Sequence, residues 1–339
     1  MSKEYLCRLC NKNDLNDFLE IDNSPKNISV LLNKEMLEND KPVKVKVYKK
    51  TRIIKRVTKP SVTKIKDLYD LTSKNVIVTG GGGFLGLHFA SAVAEAGAKV
   101  TLVDINADGL NKNVSILKKL GFNIDSFQLN MTDSAQVIEV ISTIAQKDKS
   151  IDVLINSGAF AMSSLKEESG NFFADFEDYE RELWQVSLDV NLTGTFLVTQ
   201  AVGRVMKMQK RGVVINVASD VGIISPDHRI YQPNEKYGYK GVNFNTPLSY
   251  SVSKAGILAM TRFLATYWAK EGIRVNSLSP AGVKRNQDEK FVEQLVERIP
   301  LGRMALPHEL KGPIVFLASE ASSFMTGGNL IIDGGRTIW

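Results

Sequence analysis

Tyr250 and Lys254 stand four positions apart in Tyr250-Ser251-Val252-Ser253-Lys254, at the start of a long helical stretch, so that phenol and ammonium share one helix face. A phenol with a pKa of about 10 is a poor base at neutral pH, but a fixed cation nearby favours the phenolate and brings proton exchange within range. A second chemistry lies in Thr79-Gly80-Gly81-Gly82-Gly83-Phe84-Leu85-Gly86. Gly80 permits a sharp turn, Gly83 leaves no Cβ between backbone and a bound pyrophosphate, and Gly86 lets the following helix pack tightly on a sheet. The N-terminus of that helix offers free N–H groups and partial positive charge to an anion. Asp104 lies 24 residues beyond Gly80, close to the ~20-residue interval at which a carboxylate meets adenosine ribose hydroxyls in a dinucleotide fold. Its charge repels a 2′-phosphate, and neither the glycine turn nor residues 105–111 contain an Arg or Lys to neutralise one, which favours NAD over NADP. A helix-capping Asp before Asn106 is the alternative.

These residues need a scaffold, and the apolar pattern supplies one. Near-continuous apolar runs at Asn75–Thr79, Lys99–Asp104, Ile124–Leu129, Asp152–Asn156, Val213–Val217, Arg274–Leu278 and Asn329–Asp333 read as strands covered on both faces. Amphipathic stretches alternate with them at Leu85–Ala96, Asp108–Leu120, Ala135–Gln146, Trp184–Lys207, Tyr250–Lys270, Glu289–Arg298 and Pro307–Ser319. The expectation is an α/β fold, a doubly wound parallel sheet of about seven strands over residues 65–339, with a small N-terminal appendage over residues 1–64. Residues 1–66 carry 16 basic and 8 acidic side chains, leaving 27 and 29 for the rest, so the basic pI reflects the appendage and not the main body. Between Lys41 and Lys66 there are eleven Lys or Arg and no acidic residue, with Lys44–Tyr48 alternating like a short strand. This segment is a solvated linker or edge strand, with an anionic-partner patch as the alternative; Tyr48 alone makes no stacking platform for nucleic acid. No run of ~18 apolar residues spans a membrane. Cys7 and Cys10 cannot staple the main body, and a soluble, cytoplasmic protein is expected.

Tyr250 and Lys254 occur with a set of motifs that resembles the short-chain dehydrogenase/reductase superfamily over residues 65–339. The set comprises the glycine turn, Asn156-Ser157-Gly158-Ala159, Val190-Asn191-Leu192-Thr193-Gly194, Asn216-Val217-Ala218-Ser219, Ser279-Pro280-Ala281-Gly282 and Ile332-Asp333-Gly334-Gly335. The resemblance implies a Rossmann fold and a nicotinamide cofactor held by Gly80, Gly83, Phe84, Leu85, Gly86, Asp104, Asn130, Met131, Asn156, Ser157, Gly158, Tyr250, Lys254, Pro280, Gly282 and Val283. It implies Tyr250 as general acid/base and Ser219 hydrogen-bonded to the reacting oxygen. Lys254 would hold the nicotinamide ribose and lower the tyrosine pKa, and Asn191 a water in a relay to Lys254. Each has an alternative: Ser219 caps a loop, Asn191 bridges a helix kink, Lys254 is a solvated helix charge. Phe84 in place of glycine, Ser157-Gly158 in the fourth-strand motif, Asn130 for Asp, and Arg285 where threonine is common mark a subfamily.

Ser219 and Tyr250 lie 31 positions apart, more than in the compact members of the superfamily. The inserted stretch carries Pro226, His228, Arg229, Tyr231, Tyr237, Tyr239 and Phe244, a mixture suited to a hydroxylated ligand, with a passive loop as the alternative. Pro226–Tyr231 and Thr246-Pro247-Leu248-Ser249-Tyr250 resemble oxidoreductases of bacterial surface-sugar pathways, and Lys66-Asp67-Leu68-Tyr69-Asp70-Leu71 resembles gluconate-type dehydrogenases. The implied substrate is a sugar, polyol or nucleotide-linked sugar, with His228 and Arg229 facing it if it is anionic. A sugar-nucleotide dehydratase or epimerase, or a non-catalytic nucleotide-binding scaffold, are the competing readings. Cys7-Arg8-Leu9-Cys10 is half a zinc site without a second pair, as His88, His228 and His308 are far away in sequence, so no metal is expected unless a dimer bridges it. The resemblance further implies a homodimer or homotetramer assembled through the long helices.

Overall fold

The computed structural model describes residues 63–160, 174–231, 245–287 and 289–338, all in the unit Thr63–Trp339. The Cys7/Cys10 pair, the 44–48 strand and Tyr237, Tyr239 and Phe244 lie outside the described residues.

Seven strands form one sheet: β1 Asn75–Thr79, β2 Lys99–Asp104, β3 Ile124–Gln128, β4 Val153–Asn156, β5 Gly212–Val217, β6 Ile273–Pro280 and β7 Asn329–Ile332. Their order is β3-β2-β1-β4-β5-β6-β7, and every neighbouring pair is parallel, as expected from the sequence. Around it lie α1 Phe84–Glu95, α2 Ala107–Lys119, α3 Ser134–Asp148, α4 Arg181–Leu188, α5 Thr195–Gln209, α6 Leu248–Trp268, α7 Glu289–Val296 and α8 Lys311–Ala318. Strand alternation divides the core in two. Val76 and Val78 of β1 pack with Phe89, Val93, Leu110, Leu117, Ile314 and Leu317 from α1, α2 and α8. Ile77 points the other way, to Val137, Ile141, Val198, Val202, Met206 and Trp268 from α3, α5 and α6. Each fully buried aliphatic or aromatic side chain contributes roughly 1.5–3 kcal/mol, which keeps the sheet rigid beneath its loops.

The predicted helix Trp184–Lys207 is not uniform. Between α4 and α5 the turn Asp189–Gly194 is a π-helix. Asn191 pulls it open from within: its Oδ1 accepts from Phe160 N at 2.6 Å, and its Nδ2 donates to Phe160 O at 3.3 Å and Ser253 Oγ at 3.2 Å. Thr195 Oγ1 donates back to the Asn191 carbonyl at 2.8 Å. Such widened turns cluster at functional sites.

The chain leaves β1 through α1 on one face, while the helices that follow β4, α4 and α5, carry it to the other, so a crevice opens at the carboxyl ends of these two neighbours. Two glycines let it form. Gly80 has φ +66, and a Cβ there meets Gly158 Cα at 2.7 Å; a Cβ on Gly86 lies 2.1 Å from the Gly80 carbonyl oxygen. Gly86→Ala is therefore expected to destabilise the protein by about 1–3 kcal/mol. Gly312→Ala in α8, where an added Cβ meets nothing within 4 Å, should be neutral or stabilising by up to about 1 kcal/mol. Urea midpoints of the two variants against the parent check this contrast.

Candidate active site

The loop after β5 and the start of α6 bring the proton-handling groups together. Gly222 lies directly on α6, where a Cβ would meet the Lys254 carbonyl carbon at 2.8 Å, and this contact seats Ser219 over Tyr250. The Tyr250 phenol lies close enough to the Ser219 side chain and the Asp220 carboxylate to feel both. Lys254, 5% exposed, donates to the Val217 carbonyl at 2.8 Å and stands 5.6 Å from the Tyr250 ring centroid. Ser219 accepts from Val221 N at 3.4 Å, so the loop-capping alternative describes one bond of this hydroxyl.

The electrostatics differ from expectation. Burial pushes the Tyr250 phenol up to about 12, the negative charge of Asp220 adds to the rise, and the nearby Ser219 side chain works against it. Burial pushes the Lys254 ammonium down to about 8. The resemblance implies that Lys254 lowers the tyrosine pKa; the influences resolved on the phenol are its burial, Asp220 and Ser219, desolvation disfavours charge on both groups, and the ammonium lies 5.6 Å from the ring centroid.

Asn191, 1% exposed, sits in the π turn and reaches Phe160 and Ser253. It therefore bridges a kink, and its side chain bonds to Ser253 beside Lys254, not to Lys254 itself.

On the other side of the crevice the residues fit a dinucleotide. The Thr79 hydroxyl accepts from Ser157 N at 3.1 Å and Gly158 N at 3.0 Å, and Ser157 Oγ donates to Thr79 O at 2.5 Å, which locks the glycine turn to the loop after β4. α2 and α3 carry side-chain caps from Asn106 and Asp133. α1 has only Gly83 at its N-cap, without a side-chain cap, so its first amides are left for an anion. A Cβ on Gly83 meets only the Gly80 oxygen, at 3.1 Å, leaving the space beside the turn clear. Asp104 at the end of β2 accepts from Gly82 N at 3.0 Å and Asn106 N at 2.9 Å; the cap of α2 is Asn106. Phe84 and Leu85 open α1, and Met131 packs against the faces of Gly158 and Gly194. Pro280 ends β6, Gly282 O accepts from Ala305 N at 3.1 Å, and Val283 bridges Ala305.

Two side chains expected at the cofactor are turned elsewhere. Asn156, 3% exposed, donates to Thr199 Oγ1 and Asn216 Oδ1, both at 2.8 Å, because strand alternation puts it on the α5 side of the sheet beside Leu154. Asn130 uses its Oδ1 on Thr132 N and Oγ1, at 3.1 and 2.8 Å, closing a turn.

On the substrate side, Arg229 is held by Asp227, Nε to Oδ1 and Nη2 to Oδ2, both 2.8 Å. Arg298 Nε meets the same carboxylate at 2.7 Å, so the guanidinium expected to face an anion is already paired. Tyr231 stacks on Phe291 of α7, with centroids 5.9 Å apart, and its hydroxyl bonds Thr246. Arg285 lies over the Phe84 ring, 5.0 Å from its centroid, a cation beside the glycine turn that sequence distance concealed. Sequence reasoning also missed Asp220 and Arg336, a buried ion pair beside Ser219. The one available signal was a charged residue following Ser219 in an otherwise apolar loop.

Among the described residues no three His, Cys, Asp or Glu are placed to hold a metal, and no helix is long and apolar enough to cross a membrane.

A family model described as enoyl-(acyl carrier protein) reductase matches residues 84–337. A 3-oxoacyl-[acyl-carrier-protein] reductase of Thermotoga maritima is 34% identical over 79% of this chain and 99% of its own. An NAD-dependent glycerol dehydrogenase of Listeria innocua is 32% identical over 80% and 96%. The crystal structure of a gluconate 5-dehydrogenase from Burkholderia cenocepacia, in complex with NADP and tartrate, superposes with a TM-score of 0.68 at 28% identity, covering 81% of this chain and 99% of that one.

Proposed function

The chain belongs to the short-chain dehydrogenase/reductase family, and on that premise we propose that it interconverts a hydroxyl and a carbonyl on a sugar or polyol, with NAD(H) as its preferred dinucleotide. The observation that carries the reading is the convergence of Ser219, Tyr250 and Lys254 beside an uncapped helix N-terminus at the β1/β4 crevice. The bound nicotinamide supplies the hydride acceptor or donor. Tyr250 exchanges the proton with the substrate oxygen, and Ser219 hydrogen-bonds that oxygen and orients it toward the phenol. Lys254, anchored on Val217 O, directs its remaining N–H groups to the ribose, and Asn191 holds the turn beneath it. Gly80, Gly83 and Gly86 admit the pyrophosphate.

Asp104 supports NAD over NADP: its carboxylate, fixed by Gly82 N, accepts from ribose hydroxyls and repels a phosphate. A hydroxylated substrate is supported by relatives named for glycerol and gluconate. The aromatic and hydroxyl lining of Tyr231, Thr246 and Phe291 agrees with it. The finer reading, a nucleotide-linked sugar of a surface-glycan route in the cytoplasm, rests on Pro226–Tyr231 and Thr246–Tyr250. Exposed Phe196, Phe263 and Tyr267 on α5 and α6 support assembly of a second copy through these helices.

A screen of sugars and polyols with NAD+ should yield NADH; turnover without net cofactor change would instead favour a dehydratase or epimerase. Tyr250→Phe should lower kcat roughly 10²–10⁴-fold while NADH binding, followed by fluorescence, survives. Because oxidation needs the phenolate and burial raises its pKa, kcat/KM for oxidation should climb with pH across the neutral range, whereas carbonyl reduction, which uses the neutral phenol, should stay level there; steady-state profiles in both directions test this. Asp104→Ser should reduce the NAD+ to NADP+ ratio of kcat/KM roughly tenfold, the worth of one charge-assisted hydrogen bond. Phe263→Asp should convert the assembly to a smaller species in light-scattering chromatography.

A further inference from the structure

Asn113 interrupts an apolar stripe. The buried positions of α2 are Leu110, Asn113 and Leu117, and Asn113 is 5% exposed. A carboxamide placed there must find partners to offset its lost hydration. It finds them in the glycine turn: Asn113 Nδ2 donates to Gly81 O at 2.8 Å and to Gly83 O at 3.0 Å. Both partners are carbonyl oxygens, so the atom between them is the amide nitrogen, and both of its hydrogens are used. The contact depends on a close approach of α2 to the turn, since a Cβ on Gly109, one helical turn before Asn113, would lie 2.8 Å from Gly82 O.

The peptide planes of the turn show what this grip does. In a trans peptide the C=O and the N–H point opposite ways. The Gly81–Gly82 plane is held at both ends, its oxygen by Asn113 and its N–H by Asp104 Oδ2 at 3.0 Å. Gly81 N and Gly83 N are also spent inside the protein, on Val103 O and Gly80 O at 3.1 and 3.0 Å. The Gly83–Phe84 plane differs. Its oxygen takes Asn113 Nδ2 and, at 3.2 Å, Leu87 N, while Phe84 N, the first amide of α1, has no backbone acceptor among the described residues and no side-chain cap. Fixing that oxygen against α2 aims the N–H away from α2, at the start of α1, where an anion can meet it.

Resting on the dinucleotide reading above, we propose that Asn113 is a positioning residue of the cofactor site, which presents the Phe84 N–H to the nucleotide pyrophosphate by fixing the Gly83 carbonyl. It touches no phosphate itself. Because the amide is neutral, it grips the turn without adding charge beside Asp104, whose carboxylate is left to set the ribose preference. β2 and α2 thus hold the turn from one side, Asp104 by an N–H and Asn113 by two carbonyls.

The test is nucleotide binding by the full chain with three probes: NADH, read by its fluorescence, and ADP and adenosine, read by competition against it. Asn113→Leu fills nearly the same volume without a donor and keeps water from the freed carbonyls. It should weaken NADH and ADP roughly tenfold or more, the worth of one hydrogen bond to a charged group. Adenosine, which has no phosphate, should weaken by about twofold or less. Asn113→Ala, the better helix former, carries the same criterion if Asn113→Leu does not fold. A merely structural role would weaken all three probes by one common factor or leave all three unchanged, and either result in a folded variant overturns the proposal. Binding needs no turnover, so a failed polyol screen would count against the oxidoreductase reading alone. A parent chain that binds neither NADH nor ADP would overturn the dinucleotide reading and this proposal with it, whereas a common loss in the variant counts against Asn113 alone.

Discussion

All seven strands run the same way, and that constraint governs the rest of the molecule. A parallel sheet sends every carboxyl end to one edge, so the loops after β1, β2, β4, β5, β6 and β7 must all emerge there. Gly80, Asp104, Gly158, Ser219, Gly282 and Arg336 are scattered over 257 positions of sequence, yet they belong to six consecutive exits from a single edge. Chemistry requires only that each loop be short and firmly based. Burial of alternate faces against two helical layers supplies the firmness, and the hydrogen bonds of Thr79 to the loop after β4 join the two halves where they would otherwise part.

Firmness at this edge comes with burial of polar groups. Asn156, Asn216, Thr199 and Thr261 form a chain beneath the crevice, each bond 2.8–2.9 Å, while Asn156 Oδ1 is left without a partner. A buried acceptor in that state costs about 1–3 kcal/mol, a local weakness of the kind tolerated near functional sites. Lys254 is the larger case. Its shift toward about 8 comes from desolvation alone, which means no carboxylate compensates it, and Val217 O is the one protein acceptor it meets among the described residues.

The central strands could be read in the chain because burial on both faces writes β1 and β4 as apolar runs, whereas β3 and β7 are only partly buried, and Gly80 and Gly86 of the β1 turn could be read because their contacts allow no side chain. The inward face of Asn156 was also readable: Leu154 and Asn156 share strand parity, and Leu154 belongs to the core under α5. The π turn at Asn191 was not, since it depends on Phe160, 31 positions earlier, and helical periodicity does not register one extra residue. Nor was the direction of the Tyr250 shift. A spacing of four describes a cation next to a ring, whereas the outcome depends on how much water the fold removes and on Asp220 behind Ser219. The pairing of Asp220 with Arg336 joins loops that the sequence separates by most of one half of the domain, and no local pattern encodes it.

The charges at the site follow one line of reasoning. Asp220 and Arg336 neutralise each other, Tyr250 is neutral because burial raises its pKa, and Lys254 near about 8 keeps most of its charge at neutral pH. The local sum is therefore a single cation, desolvated and with two N–H groups unmatched by protein among the described residues. Such a group is stabilised by oxygen lone pairs arriving from outside, and ribose hydroxyls or an alkoxide-like substrate oxygen provide them. A second fixed cation would favour a phosphate or carboxylate at the same place, and Arg229, the nearest candidate in the sequence reading, is instead committed to Asp227. Asp227 takes up the Arg229 charge and Asp220 the Arg336 charge, which leaves the Lys254 ammonium as the charge next to the phenol ring.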